Sequence, residues 1–168
     1  FAAIFLGIAR LGLDELLVRE LVNNSKKFLE ILGTAFWLKL IGGIFTFIVT
    51  AIVLIIFSDD KQVNLFILII LSSLIFQSVD VVEFFFQSKV LAKFISICKI
   101  TQILVSSLVK VFLLIYKFEL IWFVSVFLFD SFILGSCFLV AFRFNKNKFF
   151  FYNFNKDIAK NLLSNSWP

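Results

Sequence analysis

An all-α, polytopic transmembrane helix bundle is the fold class this sequence predicts, and three observations predict it. Hydrophobic residues make up 61% of the chain and charged residues only 16%, where a soluble domain is about half apolar and a quarter charged. The mean hydropathy is +1.05, more apolar surface than a chain of 168 residues can hide in a core of its own. The apolar residues also fall in runs long enough to cross a hydrocarbon core, which takes roughly 20 residues.

Taken in order, the chain opens in the tail of a helix over 1–21, with a basic connection over 22–30. Full spans follow at about 31–57, 63–86, 93–116 and 119–142, and a further helix starts from about 158. The connections SDDKQ (58–62) and KFE (117–119) are so short that each is a tight hairpin between antiparallel helices. The sequence lacks Met and stops in mid-pattern at SNSWP (164–168), which reads as an internal stretch of a longer protein.

The basic residues orient the bundle. Arg19, Lys26 and Lys27, then Lys89 and Lys93, then Arg143, Lys146, Lys148, Lys156 and Lys160 lie on one set of connections. The alternate set holds only Lys61 and Lys117, so ten stand against two. The positive-inside rule makes 22–30, 87–93 and 143–157 cytoplasmic. The same count accounts for most of the net +5 charge without a nucleic-acid partner. RFNKNKFFFYNFNK (143–156) reads as an amphipathic segment on the inner leaflet, its cations toward anionic headgroups.

Charges within the spans are the candidate functional residues, because each costs about 2.5–3.5 kcal/mol at a helix centre. At about 100° per residue, Ser73, Gln77, Asp80, Glu83 and Gln87 share an arc of roughly 120°. Lys99, Gln102, Ser106 and Lys110 share about 80°, and Lys39, Gly42, Gly43, Thr46 and Thr50 about 100°. Three successive helices thus each carry a polar or small face. Asp80 or Glu83 is expected to pair with Lys39 or Lys99, and Lys110 with Asp130. In IARLGLDELLVREL (8–21), Arg10 and Asp14 stand four apart on one face, where a cavity or partner must receive them. Gly42 and Gly43 permit close helix approach. Cys98 and Cys137 have no metal-ligand spacing and read as buried thiols. With no Walker loop, metal-ligand set or nucleophile–base motif, neither catalysis, a metal nor a cofactor is expected.

The ordered series LGLDELLVREL (11–21), EILGTAFWLKLIGG (30–43), QSVDVVEFFFQSKVLAK (77–93), SSLVKVFLLI (106–115) and NSWP (165–168) resembles the bacterial O-antigen-type polysaccharide flippases. These belong to the multidrug/oligosaccharidyl-lipid/polysaccharide exporter superfamily. The resemblance implies that 1–168 is part of the N-terminal six-helix lobe of a two-lobed transporter of the bacterial inner membrane. It implies a substrate of undecaprenyl-pyrophosphate-linked oligosaccharide, moved to the periplasmic leaflet by alternating access, with polysaccharide assembly proteins as further partners. On that reading Arg10, Lys39, Lys99 and Lys110 meet the anionic head, and Asp14, Asp80, Glu83 and Asp130 hold those cations or act in gating. Arg10 and Asp14 lead the set, because the second helix is the part of the family's cavity wall best covered here. The alternatives are a multidrug or cation antiporter of the same superfamily, an integral-membrane enzyme of polysaccharide assembly, and a passive assembly subunit.

Overall fold

The computed structural model describes residues 13–57, 60–145 and 153–166. Among these there is no strand. Seven α-helices run in chain order: α1 (Leu13–Asn23), α2 (Phe28–Phe57), α3 (Lys61–Gln77), α4 (Val81–Ser88), α5 (Ala92–Ile115), α6 (Leu120–Phe144) and α7 (Lys156–Ser166). Two 3₁₀ turns, Ser25–Lys27 and Ser78–Asp80, join α1 to α2 and α3 to α4. Four stretches are long and apolar enough to span a membrane: Phe28–Ile56, Lys61–Ser88, Ala92–Ile115 and Leu120–Phe144. The chain is an all-α bundle with the build of a multi-pass membrane protein.

The connections are tighter than the sequence suggests. The expected loop over 22–30 shrinks to Asn24 and a 3₁₀ turn. Phe28 and Leu29 already belong to α2 because both pack on the core, Phe28 with its ring 5.2 Å from that of Phe85. Helix α3 starts at Lys61 rather than 63, because Asp60 caps it: Oδ1 accepts from the amides of Gln62 at 3.1 Å and Val63 at 3.3 Å. At the ends of α4 and α5 the chain reverses through Val90 (φ 56°) and Lys117 (φ 51°), both in the left-handed region. The amide of Leu91 donates to Phe86 O and that of Val90 to Gln87 O; Phe118 to Leu113 O and Lys117 to Leu114 O repeat the pattern. Both turns therefore close the helix end with the paired bonds usually built around glycine. Of the expected amphipathic segment 143–156, Arg143 and Phe144 complete α6 and residues 153–155 are non-helical, while 146–152 lie outside the described residues.

Span 61–88 is interrupted, where the sequence pattern predicts one unbroken helix. The hydroxyls of Ser72, Ser73 and Ser78 each donate at 2.6 Å to the carbonyl three residues back. Such back-bonding competes with the i→i−4 ladder and bends helices. The 3₁₀ turn at Ser78–Asp80 follows, with no proline needed.

Helix α6 packs between α3 and α5, and α3 packs on α2. The short helices α1, α4 and α7 gather with them at one end, together with Lys26, Lys27 and Lys89 of the adjoining turns. The main core sits there, around Leu17, Leu32, Val82, Phe86, Phe138 and Phe142, and Leu162 of α7 joins it. Toward the other end burial is sparser: a small cluster forms around Leu71 and Leu74, and Leu54, Leu113 and Val126 are buried outside it. Ile55, Leu108 and Ile115 stand exposed there, as lipid-facing residues do. Two glycines set close crossings: a Cβ on Gly43 would lie 3.4 Å from the Leu74 Cβ, and one on Gly135 3.5 Å from the Phe76 carbonyl oxygen.

Candidate functional site

The polar faces of α2, α3 and α4 meet around a cleft of about 270 Å³ that also takes in Asp14 of α1 and Lys99 of α5. Its lining combines the apolar Gly43, Leu74 and Phe84 with the polar Gln77, Asp80 and Glu83. The break before α4 places Asp80 in the 3₁₀ turn and Glu83 in the first turn of the next helix. The two carboxylates thus share a cleft without sharing one regular helical turn, which corrects the continuous stripe expected from the sequence. The remainder of that stripe stays linked by side chains. Gln77 Nε2 donates to Ser73 Oγ and Gln87 Nε2 to Glu83 Oε1, each at 3.3 Å.

Lys39 is the most enclosed cation in the cleft, its side chain 9% exposed. Its ammonium donates to Asp14 Oδ1 at 2.6 Å and stands 4.6 Å from the centre of the Phe84 ring. A carboxylate on one side and an aromatic face on the other replace the hydration this ammonium gives up. Asp14 is therefore the partner of Lys39, and the expected pairing with Asp80 or Glu83 is corrected. Glu83 is taken by Lys99 instead, and α1 brings Asp14 to within 2.6 Å of the Lys39 ammonium. Lys99 fulfils the other expected pairing and donates to Glu83 Oε1 at 2.6 Å. Its side chain is 47% exposed and that of Glu83 15%.

Lys110 and Asp130 also pair, at 3.5 Å between α5 and α6, but away from this cleft. Nearby on α5, Ser106 Oγ is buried with no hydrogen-bond partner among the described residues, as is Asp130 Oδ1. Arg10, and with it the pair Arg10–Asp14, lies outside the described residues. The small face of α2 is spent on packing: Thr46 and Thr50 are buried and donate to Gly42 O and Thr46 O.

Two features escape the sequence reading. Phe84 carries no signal at its position, since its role depends on where α2 brings Lys39. Asn155 does carry one, as a capping residue before Lys-Asp and an apolar run. Its Oδ1 accepts from the Asp157 amide at 3.0 Å and its Nδ2 donates to Glu30 Oε2 at 3.1 Å. Its own amide donates to Thr34 Oγ1 at 3.0 Å, which fastens α7 to α2.

In charge, the described lining of the cleft holds Lys39 and Lys99 against Asp14, Asp80 and Glu83, an excess of one carboxylate. Among the described residues no group of three or more Cys, Asp or Glu side chains has the geometry to hold a metal ion. Fold and cleft together define a multi-pass membrane helix bundle with a polar recess between its spans. Comparison with protein-family models, with curated proteins and with solved structures finds no match to the chain.

Proposed function

We propose that this chain is part of a transporter lobe that moves a lipid-linked oligosaccharide with an anionic pyrophosphate head across a bacterial inner membrane. The observation that carries the reading is Lys39: an ammonium in the wall of a polar cleft, enclosed and shared between a carboxylate and a ring. An incoming phosphate can take the place of Asp14 at Lys39 or of Glu83 at Lys99, which keeps each ammonium paired and frees the carboxylate to the water of the cleft, while the prenyl tail stays in lipid. The ordered series of flippase-like segments supports the same reading. The asymmetry of basic residues supports placing the turns at 24–27 and 89–91 on the cytoplasmic side.

A multidrug or cation antiporter is the second reading, and the excess of one carboxylate in the described lining favours it. Deleting the gene that encodes this chain tests the first. Lipid-linked repeat units that accumulate on the cytoplasmic face support a flippase. Unpolymerised units on the periplasmic face point instead to an assembly enzyme. Loss of cation export with normal glycan export points to the antiporter.

A further inference from the structure

A second recess opens at the end of the bundle away from the main core, between the first turns of α3 and α6. It encloses about 670 Å³. Leu65, Phe66, Leu120 and Ile121 give it apolar walls, and Lys61 and Glu119 line it with them. Both helices are candidate membrane spans, and Leu65 and Leu120 are exposed. Acyl chains are what such walls meet.

The neighbouring aromatic residues set its depth. Beside Glu119, the ring of Phe118 lies 6.5 Å from that of Tyr116 and 5.7 Å from that of Trp122. All three are exposed. Exposed Tyr and Trp collect where hydrocarbon gives way to headgroups. Glu119 before α6 and Lys61 at the start of α3 therefore stand at headgroup depth.

Neither charge is spent inside the protein. The Glu119 side chain makes no cap bond to α6, and neither residue joins an ion pair among the described residues. The carboxylate of Asp60, next to Lys61, is committed to the cap of α3. The recess thus offers an ammonium and a carboxylate, not paired with each other, beside apolar walls. A phospholipid whose headgroup carries both a phosphate and a primary ammonium complements all three parts. Phosphatidylglycerol has no cation for Glu119, and the methylated ammonium of phosphatidylcholine has no N–H to donate.

We propose that the α3–α6 recess is a specific site for one phosphatidylethanolamine. Its phosphate meets Lys61, its ammonium donates to Glu119, and an acyl chain lies along Leu65, Phe66 and Ile121. The site is separate from the cleft around Lys39 and does not depend on the function proposed for that cleft.

The test is native mass spectrometry of the full chain in detergent, titrated with phosphatidylethanolamine, phosphatidylcholine or phosphatidylglycerol of equal chain length. The wild type is expected to hold one phosphatidylethanolamine about fivefold more tightly than either of the others. Glu119→Gln loses that preference, and Lys61→Gln weakens all three lipids alike. Lys117→Gln, at the same end but outside the recess, changes neither. Leu120→Trp fills the recess from an exposed position, so it removes one bound lipid while the thermal midpoint holds. Equal binding of the three lipids by the wild type, or a preference that survives Glu119→Gln, overturns the proposal. So does a preference abolished by Lys117→Gln, which would trace it to the general charge of that rim. A folded Leu120→Trp protein that keeps the full lipid count overturns it as well.

Discussion

Lys39 and Asp14, 25 residues apart in the chain, meet at 2.6 Å with the lysine side chain 9% exposed. Such a pair is weak evidence of stability, because two ions have been taken out of water, but breaking it from one side is costly. We predict that Asp14→Asn lowers stability by roughly 1–3 kcal/mol, less than for a fully enclosed pair because Asp14 keeps 37% exposure. Adding Lys39→Met to that variant is expected to recover most of the loss. Thermal unfolding of the two variants in detergent decides it: a double variant no more stable than Asp14→Asn sinks the argument.

The cleft predicts a pattern of water access. In a background without the native cysteines, Lys99→Cys is expected to react with a membrane-impermeant maleimide several-fold faster than Leu108→Cys, which is exposed on the same helix toward lipid. Equal rates at the two positions mean that the polar faces do not enclose water.

Val90 occupies the left-handed region at φ 56° while its side chain is 88% exposed. A β-branched residue there costs about 1–2 kcal/mol relative to a conformation it prefers. Val90→Gly should therefore stabilise the protein by about 1 kcal/mol, offset in part by the freedom glycine adds to the unfolded chain. Differential scanning calorimetry that shows a lowered midpoint contradicts the assignment of strain at this turn.

Asn155 caps α7 and fastens it to Glu30 and Thr34 of α2. Loss of such a cap costs about 1 kcal/mol. For Asn155→Ala, amide exchange is predicted to quicken through Lys156–Ser166 with little change in α5 or α6. Uniform acceleration across the bundle would show that α7 is part of the global folding unit instead.

The four spans were legible because length and apolarity determine them, and the pairs Glu83–Lys99 and Lys110–Asp130 because charges on facing helices have few other partners at their depth. The partner of Lys39 was not, since it depends on how the turn at 24–27 lays α1 against α2, which periodicity does not encode. The break at Ser78–Asp80 had a trace in the serines at 72, 73 and 78, but whether a serine bonds back to its own helix depends on its surroundings. Phe84 was illegible for a similar reason. Its ring matters only through an ammonium 45 positions earlier in the chain, 84 − 39.

The uneven distribution of the core has a mechanical consequence. The helices are clasped at one rim by the aromatic knot of Phe85, Phe86 and Phe142, while toward the other the buried apolar side chains are sparser, with Leu54, Leu113 and Val126 among them. A 25-residue helix such as α6 measures about 37 Å, so a tilt of about 5° about the clasped rim swings its free tip by about 3 Å. Like the arms of a pair of tweezers, spans held in this way would turn a small tilt at the clasped rim into a wider excursion at the opposite end of the bundle.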